Sequence, residues 1–171
     1  MPDRPFEVLV ICSGNTCRSP MAVRVFQEFL QRAGMARDVT AASAGLAVAV
    51  PGGPADPRAV AALAARGYGG IEHRARQFEP AMLARAGLVL GLDSGHQAEL
   101  RRIAARTGAA TPIRLLRAAR LADAGPGSGP DRALDVPDPF AGTLRDYLRT
   151  LDLIEAAMPG LLAAVRDLTG R

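Results

Sequence analysis

The 171-residue chain has no lysine and no tryptophan, and all 21 of its basic residues are arginine. Without lysine there can be no nucleotide-binding Walker loop, whose Lys reaches the β- and γ-phosphates, and no Schiff-base chemistry. The two histidines, His73 and His96, lie far apart and have no cysteines at ligand spacing, so no zinc site, other metal or cofactor is expected. Only two cysteines occur, Cys12 and Cys17, both in one short loop, which is too few for a disulfide framework. A pair of thiols kept free points to a reducing compartment. No stretch of about 20 apolar residues is present, and the apolar run near the start is too short for a signal peptide. The expected location is the cytoplasm, away from membranes. Aromatic residues make up 4% of the chain and the arginines are scattered. The sequence pI of 10.0 therefore reads as solvated surface rather than a nucleic-acid patch with interleaved aromatics. The abundance of arginine and alanine fits a GC-rich bacterial genome.

What is present is ordinary globular material, 49% hydrophobic and 22% charged, at the length of one domain spanning 1–171. Strand-like runs at Phe6 to Ile11, Val39 to Ser43, Leu88 to Leu92 and Ile113 to Leu116 alternate with helical patterns at about 19–33, 57–66, 79–86, 94–107 and 143–168. Such alternation predicts an α/β fold with a parallel sheet and helices on both faces. Phe26 and Phe29 fall one helical turn apart and are assigned to the core. A long Gly- and Pro-rich stretch, within 117–142, reads as a mobile loop rather than a domain linker.

The chemistry concentrates in ICSGNTCRSP, between the first strand and the first helix. A loop in that place points successive backbone N–H groups into one hollow, and the helix dipole adds positive character. Such a hollow binds an anion. Arg18 offers a planar fork of donors matched to two phosphoryl oxygens. Cys12 faces the phosphorus as nucleophile, and helix N-termini with nearby cations bring cysteine pKa values from about 8.5 to roughly 3.5–7.5. Ser19 can donate its hydroxyl to the same sulfur. Gly14 and Asn15 suit positive φ angles. The bland alternative is a tight turn holding two small buried cysteines. It leaves unexplained why strand, Gly-Asn turn, Arg-Ser-Pro and helix follow in this order.

A general acid must come from downstream, because only Asp3 and Glu7 precede Cys12 among the carboxylates. Asp138 is the candidate, in ALDVPDPFAG, where Pro139 holds it extended. Asp135 is the competing carboxylate and reads as a turn residue. Cys17 invites a redox role, resolving a Cys12 sulfenic acid as a disulfide, against the plain reading of a small buried residue. His73 alone would read as a surface histidine, and His96 as a solvated helix residue.

CSGNTCRSP resembles the signature of the low molecular weight protein tyrosine phosphatase family. SAG from Ser43, PADPRAV from Pro54, HRARQF from His73, LVLGLD from Leu88 and DPF from Asp138 resemble further family landmarks in the family's order, covering nearly the whole chain. The resemblance implies a three-layer single domain with strand order 2-1-3-4 and a phosphocysteine intermediate. It assigns the acid to Asp138 and implies that Asn15, Ser19, Ser43 and His73 form a network that stiffens the loop of Ser13, Gly14, Asn15, Thr16 and Cys17. It implies a phosphorylated protein or peptide as partner; a monomer is the expected state. Members with the cysteine pair use it for reversible protection.

Substrate choice is less determined. Family members acting on phosphotyrosine line the entrance with a hydrophobic residue after the nucleophile, an Ile before the second cysteine, and aromatics after SAG and in a DPY motif. This chain has Ser13, Thr16, the aromatic-free LAVAVPGG, and Phe140 as its one aromatic wall. Thr16 with DPF resembles the bacterial branch that dephosphorylates arginine. Phosphotyrosine remains the first reading and phosphoarginine the second. Thioredoxin-coupled arsenate reductases share the loop but need a further downstream cysteine, and none follows Cys17. A non-catalytic phosphate-binding module would not need nucleophile, arginine and acid together.

Overall fold

A computed structural model describes residues 4–119 and 132–170. Four strands form one parallel sheet: β1 (Phe6–Cys12), β2 (Val39–Gly45), β3 (Leu88–Gly91) and β4 (Ile113–Leu115). Their order is β2-β1-β3-β4, as the family resemblance implied. β1 is central, so Val10 stands between Ser43 of β2 and Leu90 of β3.

Both faces of the sheet are covered, which is why its strands read as continuous apolar runs rather than alternating ones. Side-chain alternation along β1 divides the interior in two. Val8, Val10 and Cys12 join Met21, Phe26, Tyr147, Leu151 and Ile154 on one face, under α1 (Arg18–Arg32), α2 (Pro57–Ala65) and α5 (Leu144–Thr169). Leu9 and Ile11 join Met82, Leu83 and Leu100 on the other, under α3 (Ala81–Arg85) and α4 (Ser94–Thr107). Val8 to Ile11 are fully buried, and each such side chain contributes roughly 1.5–3 kcal/mol. Phe26 is core as expected, whereas Phe29 is only partly buried at its edge.

The helices begin where local chemistry allows. Asp56 caps α2, accepting the backbone N–H of Arg58 at 2.8 Å, with Pro57 at the first helical position. Asp93 caps α4 through the backbone N–H of His96 at 2.9 Å. Thr143 and Asp146 make a reciprocal capping box for α5. The α3 pattern, expected over 79–86, is cut to Ala81–Arg85 because Pro80 forms its N-cap. Of the Gly- and Pro-rich stretch, residues 120–131 lie outside the described residues. Its described end is tied down: Val136 N–H bonds the Leu92 carbonyl at 2.8 Å, and Thr150 Oγ1 donates to the Pro137 carbonyl at 3.3 Å. No described helix is long and apolar enough to cross a membrane.

Candidate active site

The loop from Cys12 to Arg18 leaves the carboxyl end of β1, where open α/β sheets bind ligands. No side chain caps α1 and its first turn holds no acidic residue. The first N–H groups of that helix are therefore left for an anion. Asn15 has φ 55°, the one positive φ at a non-glycine among the described residues. Asparagine tolerates this left-handed conformation better than most side chains. Gly14 does not share it, contrary to the expectation for both residues; its side-chain position is nearly open, with Thr16 Oγ1 3.6 Å from an added Cβ.

Asn15 is fully buried and every polar atom of its side chain is used. Nδ2 donates to Ser19 Oγ and to Ser43 Oγ, both at 2.9 Å, and Oδ1 accepts the backbone N–H of Arg76 at 2.8 Å. His73 Nε2 donates to the Asn15 carbonyl at 2.6 Å, since a carbonyl can only accept. Burial pushes the His73 imidazole below its ordinary range, opposed by that carbonyl. Because Ser19 Oγ already accepts from Asn15, its hydrogen is free to point at Cys12 Sγ, 3.0 Å away. Gly45, the last residue of SAG, lies so close to the loop that an added Cβ would sit 2.5 Å from the Ser13 carbonyl. Glycine is required there by contact rather than by φ.

The opposite flank is charged. Arg18 is 3% exposed. Its NH1 donates to Asp93 Oδ2 at 2.8 Å and to the Val136 carbonyl at 3.0 Å, and NH2 donates to Asp138 Oδ2 at 3.0 Å. Burial raises the Asp93 pKa, but the His96 backbone N–H and the Arg18 guanidinium more than offset it and hold the carboxyl low. Asp138 Oδ1 accepts the backbone N–H of Phe140 at 3.1 Å, which turns the chain directly after the acid. Asp135 is occupied elsewhere, taking Ser94 N–H at 2.7 Å and Ser94 Oγ at 3.1 Å.

Two residues were misjudged or missed from sequence. His96 is not a solvated helix residue: it is 4% exposed, and its Nε2 lies 3.0 Å from Ser13 Oγ. The first turn of α4 aims inward at the loop, so a polar residue there is buried by tertiary contact. Asp93 falls within the quoted LVLGLD but was given no role. The local signal was its helix-capping position; its partner Arg18 is distant in sequence.

Cys17 lies beneath the loop, 3.2 Å from the Tyr147 hydroxyl and 3.6 Å from Thr16 Oγ1. Burial pushes its thiol pKa up, so it stays protonated. Arg58 stacks 5.0 Å from the Tyr147 ring centroid and is held by Asp56 at 2.8 Å. Both cysteines are free.

Above Cys12 opens a cavity of about 400 Å³, lined by the loop, Arg18 and Asp138, with Ala47, Ala49, Val50 and Phe140 as apolar walls. Val50 is 68% and Phe140 62% exposed. Sequence reasoning named Phe140 but not Val50, a second exposed apolar residue that lines the cavity. No metal-binding cluster occurs among the described residues. The arrangement can hold a phosphoryl group between the loop amides and Arg18, with a thiol below it and a carboxyl at its rim.

Comparison with known proteins places the chain in a family. The sequence profile of the family described as low molecular weight phosphotyrosine protein phosphatase matches residues 7–169. A low molecular weight protein-tyrosine-phosphatase of Streptomyces coelicolor is 44% identical over 162 residues, covering 95% of this chain and 94% of its own. YwlE arginine phosphatase from Geobacillus stearothermophilus superposes with a TM-score of 0.74 at 27% identity, covering 95% of this chain and 94% of its own. Vibrio vulnificus Wzb, solved in complex with benzylphosphonate, gives 0.72 at 26% identity, covering 94% and 98%. The chain belongs to the low molecular weight phosphotyrosine protein phosphatase family.

Proposed function

We propose that the chain is a cysteine-dependent protein-tyrosine phosphatase, with Cys12 as nucleophile, Arg18 as phosphate clamp and Asp138 as general acid and base. The observation that carries the reading is one cavity lined by Cys12, Arg18 and Asp138, in which Arg18 also binds the Asp138 carboxylate. Cys12 attacks phosphorus in line, so an S–P bond forms as the P–O bond to the tyrosine breaks. Protonated Asp138 gives its proton to the departing phenolic oxygen. Water then attacks phosphorus, Asp138 takes its proton, the S–P bond breaks and inorganic phosphate leaves.

Arg18 must release Asp138 when phosphate enters, since both compete for NH2. NH1 keeps its grip on Asp93 and Val136, so the guanidinium plane is already set. Preorganised donors of this kind lower the barrier because they need no reorientation as charge moves onto the equatorial oxygens. Ser19 stabilises the sulfur as thiolate, both before attack and as leaving group. The Val50–Phe140 walls supply an apolar slot for an aromatic ring, and Wzb with benzylphosphonate supports an aryl substrate for this scaffold.

A second reading, phosphoarginine, is favoured by the half-buried Thr16 on the cavity wall and by the arginine phosphatase among the structural neighbours. Matched phosphotyrosine and phosphoarginine peptides separate the two by kcat/KM, with Cys12→Ser as blank and Thr16→Ile alongside. Preference for phosphotyrosine, with Thr16→Ile neutral, is the expected result; preference for phosphoarginine that Thr16→Ile reverses would replace it.

A further inference from the structure

Ser13 follows Cys12 and lines the cavity wall, exposed to solvent. Its Oγ meets His96 Nε2 at 3.0 Å, and His96 Nδ1 lies 3.2 Å from Asp93 Oδ1. The row ends on Arg18, which holds the other Asp93 oxygen. Nδ1 is buried without a well-aligned hydrogen bond, so Asp93 acts on it by charge at short range. Arg18 on α1 opposes protonation of the ring, whereas Asp93 before α4 and Asp135 and Asp138 on the 132–143 stretch favour it; burial outweighs them and pushes the imidazole down.

A neutral imidazole carries one N–H, and a carboxylate facing Nδ1 draws the hydrogen to that nitrogen. Nε2 is then an acceptor, and the Ser13 hydroxyl gives it its only hydrogen. The Ser13 oxygen is left to face the cavity with lone pairs alone. Aryl ester oxygens and phosphoryl oxygens offer nothing to such a group. A leaving group bearing N–H does.

We propose that His96 is a positioning residue that makes Ser13 a specificity determinant. Set beside Asp93, the ring holds the Ser13 oxygen as an acceptor that raises turnover of N–H-bearing leaving groups, such as a phosphoguanidine, relative to aryl oxygens, without by itself deciding which of the two is preferred. The inference rests on the phosphatase activity proposed above. It differs from a structural role for His96 in one respect. Protonating the ring makes Nε2 a donor, frees the Ser13 hydrogen to point into the cavity, and removes that gain.

The test is the ratio of kcat/KM for a phosphoarginine peptide to that for the matched phosphotyrosine peptide, in wild type, Ser13→Ala, Ser13→Thr and His96→Phe. Ser13 is exposed, so its truncation leaves the packing intact even if His96→Phe fails to fold. Ser13→Ala is expected to lower the ratio about tenfold, the scale of one hydrogen bond, and Ser13→Thr to restore it. In wild type the ratio falls as pH is lowered through the His96 titration, followed by NMR, and Ser13→Ala lacks that step. A ratio equal in wild type and Ser13→Ala at every pH would overturn the proposal. So would phosphotyrosine turnover with no phosphoarginine turnover, which leaves the tyrosine phosphatase reading standing. Turnover of neither would overturn that reading as well.

Discussion

The two flanks of the phosphate loop are built from different chemistry. Towards β2, Asn15, Ser19, Ser43 and His73 make neutral hydrogen bonds, with the Asn15 side chain fully satisfied. Towards β3 and α4, Arg18 bridges two carboxylates, Asp93 and Asp138, and His96 stands against Ser13. Neutral bonds buried away from water change little with salt or substrate and can fix a shape. Charged partners exchange when an anion arrives. Under the mechanism proposed above, one side of the loop sets geometry and the other side handles phosphate and proton, so damage to each side should look different.

The largest separation comes from Arg18→Lys. Lysine keeps the charge but cannot hold Asp93, Val136 and phosphate in one plane, and kcat is expected to fall about 10³-fold, the upper range for losing a preorganised donor. Steady-state kinetics check this, and a loss below tenfold would show that the charged flank needs only charge.

Asn15→Ala attacks the other flank. It strips three side-chain hydrogen bonds and leaves alanine at φ 55°. The expected cost is about 2–4 kcal/mol of unfolding free energy, read by urea denaturation, with kcat falling in parallel. Unchanged stability would break the assignment of geometry to this side.

Asp93→Asn sharpens the contrast, because asparagine is as good a helix cap as aspartate. Stability should change little, while kcat/KM falls roughly tenfold, a step worth about 1.4 kcal/mol. If stability falls and kinetics hold, Asp93 serves the fold and not Arg18.

The smallest effect is in acid. His73 has its pKa lowered by burial. A group depressed in the folded state gives stability that is full above its unfolded value, about 6.5, and is lost as pH falls through the folded value. The Tm of wild type should therefore drop on acidification below about pH 6.5, and His73→Gln should show a shallower drop. Parallel curves would remove His73 from the neutral flank's pH response.

The sequence made the fold legible and pointed to part of the candidate site, for different physical reasons. Strands and helices are local patterns, and the apolar runs of β1 and β3 announce burial on both sides. The candidate loop stood out because its residues are contiguous, and Asp138, which lines the same cavity, because Pro139 follows it. His96 and Asp93 did not, since their meaning lies in contacts with Ser13 and Arg18 across the fold. A histidine in the first turn of a helix reads as solvated until the sheet edge above it is known. Gly14 was credited with a turn angle that Asn15 alone adopts, and Gly45 is needed for closeness to the loop, which no local pattern reveals.

The measurement that tests the central claim most directly is mass spectrometry of enzyme quenched in acid during turnover of an aryl phosphate, using Asp138→Ala beside wild type. Phosphate bound to Cys12 in wild type is the result this account predicts; with an aryl phosphate whose leaving group departs without a proton, Asp138→Ala should hold it at higher occupancy, because release still needs an activated water. Turnover with no phosphoenzyme in either protein, or with phosphate on Ser13 instead, would contradict it.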